Sequence, residues 1–285
     1  EVVSCDSMQL YKYMDIGSAK IKPEEMQGIK HYLVDEIEPD EEFNVMLFQK
    51  YANEYIRQIR AKDKIPIIVG GTGFYIQAVL SGINFTGHET DTSYRDELTR
   101  LSEEHGPEFL YERLKEVDPK YADTVHANNQ KRVIRALEYF QQTGQKFSEH
   151  NEEQRENESP YNFAYFVLSD ERERLYKRIE QRIDIMLKEG LVDEVKGLLN
   201  RGYTRNLVSM QGLGYKEIAS YLDGEITLDE AVYILKRDTR HFAKRQLTWF
   251  RREKEVTFID KAKANYNDKV ILEEMLQVLN EKGII

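Results

Sequence analysis

The run Ile65-Pro66-Ile67-Ile68-Val69, closed by Gly70-Gly71-Thr72-Gly73 and followed at once by the apolar stretch Phe74–Leu80, constrains the fold more than any other feature. Its length and β-branched residues read as a strand, and as a buried one. A glycine-rich turn that carries a strand straight into a helix belongs to parallel α/β sheets, whose ligands gather at the carboxyl ends of the strands. The rhythm recurs. Val2-Val3 leads into Cys5-Asp6-Ser7, Phe48–Lys62 has amphipathic helical spacing, and Phe163–Leu168 returns to a strand pattern. Arg172–Leu187, Leu191–Leu199, Lys216–Leu222 and Leu228–Phe250 read as helices, and the C-terminal stretch as one more.

The composition changes between about Gly82 and Ser159. Thr86–Asp91 reads as a polar linker, and Tyr94–Lys115 carries charges at helical spacing. Asn128-Asn129 reads as the cap of a helix ending near Gly144, and the acidic Glu149–Ser159 as a loop. The expectation is an α/β core formed by residues 1–90 and 160–285, interrupted by a mainly helical insertion over 91–159.

A chain of 285 residues can bury a sizeable core without staples. Its single cysteine, Cys5, excludes a disulfide framework and a cysteine-only metal cage, and fits a reducing cytosol. The six histidines show no metal-ligand spacing, so no metal-binding residues are assigned. No apolar run approaches the ~20 residues of a membrane span. The net charge of −10 excludes a uniformly basic nucleic-acid coat, but not a local basic face. Such a face is present in Lys236–Lys254, which holds eight Lys and Arg against Asp238 and Glu253. That +6 leaves −16 for the rest of the chain. Arg237, Arg240, Lys244 and Arg251 recur at helical spacing with Phe242, Trp249 and Phe250 interleaved, which suits a polyanion unless the helix only presents a solvated face.

Three further sets carry possible chemistry. Asp6-Ser7-Met8-Gln9, directly after a strand, could accept a proton and grip a base edge, or Asp6 or Ser7 could simply cap the next helix. Gly70–Gly73 would let backbone N–H groups approach an anion, or could be a tight turn without a ligand. Arg178 and Arg182 lie four apart on one helical face and suit a diphosphate, although Glu180 and Asp184 offer them surface partners. Lys131, Arg132 and Arg135 form a similar basic set.

Taken together, six segments resemble one family. They are Asp6-Ser7-Met8-Gln9-Leu10-Tyr11 with Met14–Lys20, His31–Asp35, Gly70–Tyr75, Asn128–Glu138, Gly212–Glu217 and Lys244–Arg251. In this order they resemble bacterial tRNA dimethylallyltransferases, the isopentenyl-diphosphate:tRNA transferases. The resemblance implies a P-loop-NTPase-like α/β fold with a helical insertion, and a cytoplasmic enzyme, expected to be a monomer without membrane attachment. It implies transfer of a dimethylallyl group from dimethylallyl diphosphate to N6 of the adenosine 3′ of a tRNA anticodon, with Mg²⁺ as cofactor. On this resemblance Asp6 is the base, Thr72 a catalytic partner and Arg182, with Arg178, the diphosphate ligand. Contacts to the anticodon stem–loop fall to Ser7, Met8, Gln9, Arg95, Lys131, Arg132, Arg135, Gln211, Gly214 and Lys216, and on the basic helix to Lys244, Arg245 and Arg251. The family also has a phosphate-binding G-x-x-x-x-G-K-[ST] motif ahead of the Asp-Ser motif. The present sequence does not contain it, and the segment is expected to precede Glu1 in the working protein. Two alternatives are a P-loop nucleotide kinase, which gives the basic helix no role, and a catalytically dead tRNA-binding module.

Overall fold

The computed structural model describes residues 1–85 and 93–285, with the side chains of Arg155 and Glu156 left aside. The linker read at Thr86–Asp91 therefore lies outside the described residues. The elements run β1 (Val2–Ser4), β2 (His31–Tyr32), α1 (Val45–Arg60), β3 (Ile67–Val69), α2 (Gly73–Leu80), α3 (Ser93–His105), α4 (Pro107–Val117), α5 (Pro119–Ala122), α6 (Gln130–Thr143) and α7 (Phe147–Glu156). They continue with β4 (Tyr165–Ser169), α8 (Arg172–Glu189), α9 (Leu191–Asn200), α10 (Tyr215–Leu222), α11 (Leu228–Phe250), β5 (Val256–Asp260) and α12 (Asp268–Glu281). The chain forms two compact units, one of Glu1–Val79 with Tyr161–Ile285, the other of Leu80–Pro160.

In the first unit β1 lies between β2 and β3, all parallel, with Val3 opposite Tyr32 and Ile68. A second parallel pair, β4 with β5, aligns Tyr165 with Val256 and Ser169 with Asp260. β5 is absent from the sequence reading because Val256–Asp260 follows the charged end of α11 and offers only five residues. The expectation that Ile65–Val69 is buried does not hold: β3 is an edge strand, and Ile67 is 53 % exposed. Branching selected the strand correctly, but burial depends on what covers its far side, which local sequence does not encode.

The main core of this unit gathers Leu10, Tyr11 and Met14 against Ile183 of α8, Leu191, Val195 and Leu198 of α9, Tyr215 and Ile218 of α10, and Ala231 and Leu235 of α11. The turn after β1 is thus anchored by the three apolar residues that follow it. α11 starts at a reciprocal cap: the Thr227 hydroxyl accepts from the Glu230 N–H, and the Glu230 carboxylate accepts from the Thr227 N–H at 2.8 Å. Its 23 residues span about 35 Å at 1.5 Å each, long enough to join the core to a distant point of the unit.

The second unit packs Leu98, Leu110, Leu114, Val133 and Leu137. The charged stretch expected to be helical over Tyr94–Lys115 is divided between α3 and α4 by Gly106, whose φ of +84° breaks the helix before Pro107 restarts it. Glu149–Ser159 is not a loop: α7 covers most of it. The buried Asp118 carboxylate accepts from the Ser148 N–H and hydroxyl, both at 2.7 Å, and so holds the first turn of that helix. Nor does Asn129 cap α6 with its side chain, although it precedes the helix; Gly144, at φ +69°, ends it.

Candidate functional site

The site is built where two loops of the first unit meet. The Cys5 N–H donates to the Val69 carbonyl at 2.8 Å, and the Thr72 N–H donates to the Cys5 carbonyl at 3.3 Å, so the ends of β1 and β3 carry Asp6 and Thr72 side by side. Gly70 makes this approach possible. A Cβ there would lie 2.7 Å from the backbone carbon of Cys5 and 2.8 Å from the Asp6 nitrogen. Asp6 does not cap a helix, because none follows. Its Oδ1 accepts from the N–H groups of Met8 (2.8 Å) and Gln9 (3.2 Å), closing a turn, while Oδ2 has no hydrogen bond among the described residues.

The end of α11 covers the glycine-rich turn. The Gln246 amide donates to the Gly71 carbonyl at 2.8 Å, and the Trp249 ring lies against Gly73. Trp249 also meets Phe74 edge to face at 6.1 Å, and Phe74 remains 42 % exposed beside Thr72. The glycines at 71 and 73 thus answer to helix packing, which favours, for these two positions, the tight turn without a ligand over the anion approach. From the other side, Gly212 abuts the Met8 side chain. Tyr75 faces Asp6 and Tyr11, and burial above all, then these neighbours, pushes its hydroxyl up to about 12. Burial first, and Asp6 second, pushes the Cys5 thiol up to about 12, which makes it structural and not nucleophilic.

The remaining candidates divide. Gln211 is exposed and donates to the Arg205 carbonyl. Gly214 is buried at the head of α10, at φ +94°, with its N–H given to Glu217 at 2.8 Å; it shapes the turn from behind the surface. Lys216 pairs with Glu217 at 3.5 Å. Arg178 does not pair with Glu180 or Asp184 but lies 3.6 Å from Asp170. Those two carboxylates face α11 instead, Glu180 holding Arg240 and Asp184 holding Lys236. Arg182 lies about 200° round α8 from Glu180, exposed and without an ion pair among the described residues. On α11, Arg237 pairs with Asp238 as well, so part of the basic face is neutralised. Lys244, Arg245 and Arg251 are exposed without an ion pair among the described residues, Arg245 lying over the Phe242 ring. In the second unit, Arg95 and Arg135 both reach the buried Glu138, at 2.9 and 3.3 Å, while Lys131 and Arg132 are exposed at the start of α6.

Mg²⁺ finds no ready cage. No three His, Cys, Asp or Glu side chains gather at one point among the described residues, and Asp6 already commits an oxygen to its own turn. The residues present do not fit a protein-held ion.

A family model described as IPP transferase matches residues 9–253. The chain belongs to this family. Similar proteins include a tRNA dimethylallyltransferase of Lachnoclostridium phytofermentans, 60 % identical over all of this chain and 91 % of its own length. Another, of Acetivibrio thermocellus, is 51 % identical over 95 % of this chain and 87 % of its own. Among solved structures, the full-length tRNA isopentenylpyrophosphate transferase of Bacillus halodurans is 43 % identical with a TM-score of 0.72, covering 99 % of this chain and 89 % of its own. A eukaryotic dimethylallyltransferase acting on tRNA is 29 % identical with a TM-score of 0.77 over 91 % of this chain and 67 % of its own. The fold is that of these transferases, as the resemblance implied, and membership decides against the nucleotide kinase. Gln246 is a site neighbour that sequence reasoning did not single out, and Trp249 was read only as an aromatic of the basic helix, not as a partner of the glycine-rich turn. Their signal was present, since they lie three apart on one helical face. No described helix is long and apolar enough to cross a membrane.

Proposed function

We infer that this IPP-transferase-family enzyme transfers the dimethylallyl group of dimethylallyl diphosphate to N6 of the adenosine 3′ of a tRNA anticodon. The observation that carries the mechanism is the division of the Asp6 carboxylate: one oxygen is fixed by two backbone N–H groups, and the other has no partner among the described residues. An exocyclic purine amine is a poor nucleophile, so a base must take its proton as the allylic carbon is attacked. The nitrogen forms a bond to that carbon, the carbon–oxygen bond to diphosphate breaks, and the proton passes to Oδ2 of Asp6. Thr72, tied to the same turn, positions the amine. The diphosphate leaves with the electron pair, and its growing charge needs cations. Arg182, assisted by Arg178, is the proposed partner. Mg²⁺, the cofactor expected from the resemblance, would add positive charge against the leaving diphosphate.

The target base cannot react inside a stack and is drawn out to Asp6. Ser7, Met8, Gln9, Gln211 and Lys216 line the approach in the first unit, with Lys244, Arg245 and Arg251 taking phosphates. Gly214 shapes that turn. In the second unit Arg95, Lys131, Arg132 and Arg135 are the proposed RNA contacts. Under this reading the unit of residues 1–90 and 160–285 carries catalysis and the insertion assists RNA binding, in a cytoplasmic monomer.

The test uses radiolabelled dimethylallyl diphosphate and unmodified tRNA with the Asp6→Asn variant. Asparagine keeps an acceptor oxygen for the Met8 and Gln9 N–H groups but cannot take the proton. Transfer should fall by roughly 10²–10⁴ while tRNA binding survives. Near-normal turnover would remove Asp6 from the mechanism, and binding without transfer by the unaltered protein would favour the inactive tRNA-binding module.

A further inference from the structure

The Gln9 amide is held at one end only. Its Nε2 donates to the carbonyl oxygens of Ser18 (3.4 Å) and Ala19 (3.1 Å), and its Oε1 has no partner among the described residues. Two carbonyl oxygens on one side decide the orientation, since turning the amide would set oxygen against oxygen. The residue therefore offers its surroundings an acceptor and no donor. The loop supplying those carbonyls is fixed by a carboxylate elsewhere in the sequence. Glu194, on α9, accepts from the N–H groups of Asp15 (2.9 Å), Ile16 (2.7 Å) and Gly17 (3.0 Å), and from the Tyr215 hydroxyl at 2.8 Å. A Cβ on Gly17 would lie 2.6 Å from the Tyr215 ring, so the loop is seated without slack. Lys20, bonded to the Tyr11 carbonyl and to Asp15 and Asp35, closes its far end.

We propose that Glu194 is a positioning residue: through the loop at residues 15–19 it fixes the donor–acceptor polarity of Gln9, so that the turn shared with Asp6 receives the amine of an adenine and rejects a base presenting an acceptor there. The adenine amine carries two hydrogens, one for Asp6 and one for Gln9. Hypoxanthine, with a carbonyl in that place, would set its oxygen against Gln9 Oε1. This rests on the proposed function, because it names the base as adenine. The substitution that tests it is Glu194→Gln, which turns an acceptor oxygen into an N–H₂ facing donors and so opens the loop.

The binding of two anticodon stem–loops, with adenosine or inosine at the target position, is measured to the full chain and to Glu194→Gln. The unaltered protein should prefer adenosine by about tenfold, the scale of one mismatched hydrogen bond. In the variant the ratio should fall towards one, because the amide can then turn. A general loss of structure would weaken both RNAs equally and leave the ratio alone, and an unchanged ratio overturns the proposal. Should Glu194→Gln fail to fold, Tyr215→Phe removes one of the four hydrogen bonds and should shift the ratio partway; no shift is again a refutation. A second readout needs no RNA: slow rotation and exchange of the Gln9 side-chain amide protons by NMR. Loss of that restraint in the variant supports the clamp and its retention overturns it. If neither RNA bound the unaltered protein, the proposed function would fail while this readout still judged the clamp.

Discussion

The contrast between Gly71→Ala and Gly73→Ala tests the assembly of the site most directly. An added Cβ at 71 would stand 2.2 Å from the Gln246 amide nitrogen, and one at 73 would stand 2.3 Å from Cδ1 of Trp249. The first obstacle is the end of a flexible side chain, which can swing away at the loss of one hydrogen bond, about 1 kcal/mol. Reduced freedom of the unfolded chain offsets about 0.4–1 kcal/mol of that, so Gly71→Ala should be close to neutral. The second obstacle is a rigid ring. Restoring a carbon–carbon separation of about 3.5 Å requires it to retreat by roughly 1.2 Å, and overpacking of this kind costs about 1–3 kcal/mol. Because Thr72 lies between the two glycines, displacement of about 1 Å should also lower transfer by up to ~10²-fold. Urea unfolding and single-turnover prenyl transfer read the two effects. Removing the ring should remove the conflict, so Gly73→Ala and Trp249→Ala should be non-additive by about 1–2 kcal/mol in a double-mutant cycle. Strict additivity, or a Gly73→Ala protein as stable as Gly71→Ala, would refute the packing argument.

The other expectations follow from charge and burial. Lys244→Ala with Arg251→Ala should weaken tRNA binding and flatten its salt dependence by about 1–2 in log–log slope, whereas Lys236→Ala, whose charge is already spent on Asp184, should leave the slope nearly unchanged; a titration of binding against salt separates them. Cys5 should resist alkylation in the native protein at pH 8 and react in urea, as mass spectrometry would read, because burial raises its pKa. The sign for stability follows: the contribution is fully present below pH 9, where the unfolded thiol begins to ionise, and is lost as pH rises towards about 12. Glu138→Gln should destabilise by about 1–3 kcal/mol, because a buried carboxylate shared by Arg95 and Arg135 loses its charge, and calorimetry would show it.

How much of this was legible in the sequence depended on whether the signal was local. The extent of α11 was legible because helical periodicity runs unbroken from Leu228 to Phe250. The β1 turn and the glycine-rich turn were readable as candidate site elements because strand-to-loop transitions are local. The exposure of β3 was not, because it depends on neighbours that no periodicity reports. Likewise Glu149–Ser159 looked too polar for a helix, yet α7 is held by Asp118, some 30 residues earlier. The same holds for Glu194, an unremarkable glutamate among many, whose importance lies in the three N–H groups of a loop almost 180 residues away.

An acidic chain that binds RNA must separate its cations from its own anions, and α11 achieves this by position. Lys236 and Arg240, nearer its start, are consumed by Asp184 and Glu180 of α8, while Lys244, Arg245 and Arg251 have no ion pair among the described residues where the helix reaches the glycine-rich turn. At physiological ionic strength the Debye length is about 8 Å, so those cations act on a phosphate beside them, and most of the remaining negative charge is screened from it. Lowering the salt lengthens that reach and brings the net charge of −10 into play against the approaching RNA. The two effects oppose each other. Affinity should therefore rise with dilution of salt and then level off at low ionic strength, where a basic protein with the same contacts would keep gaining. A strictly linear log–log plot down to about 10 mM, where the Debye length is about 30 Å, would show that the acidic surface does not face the RNA at all.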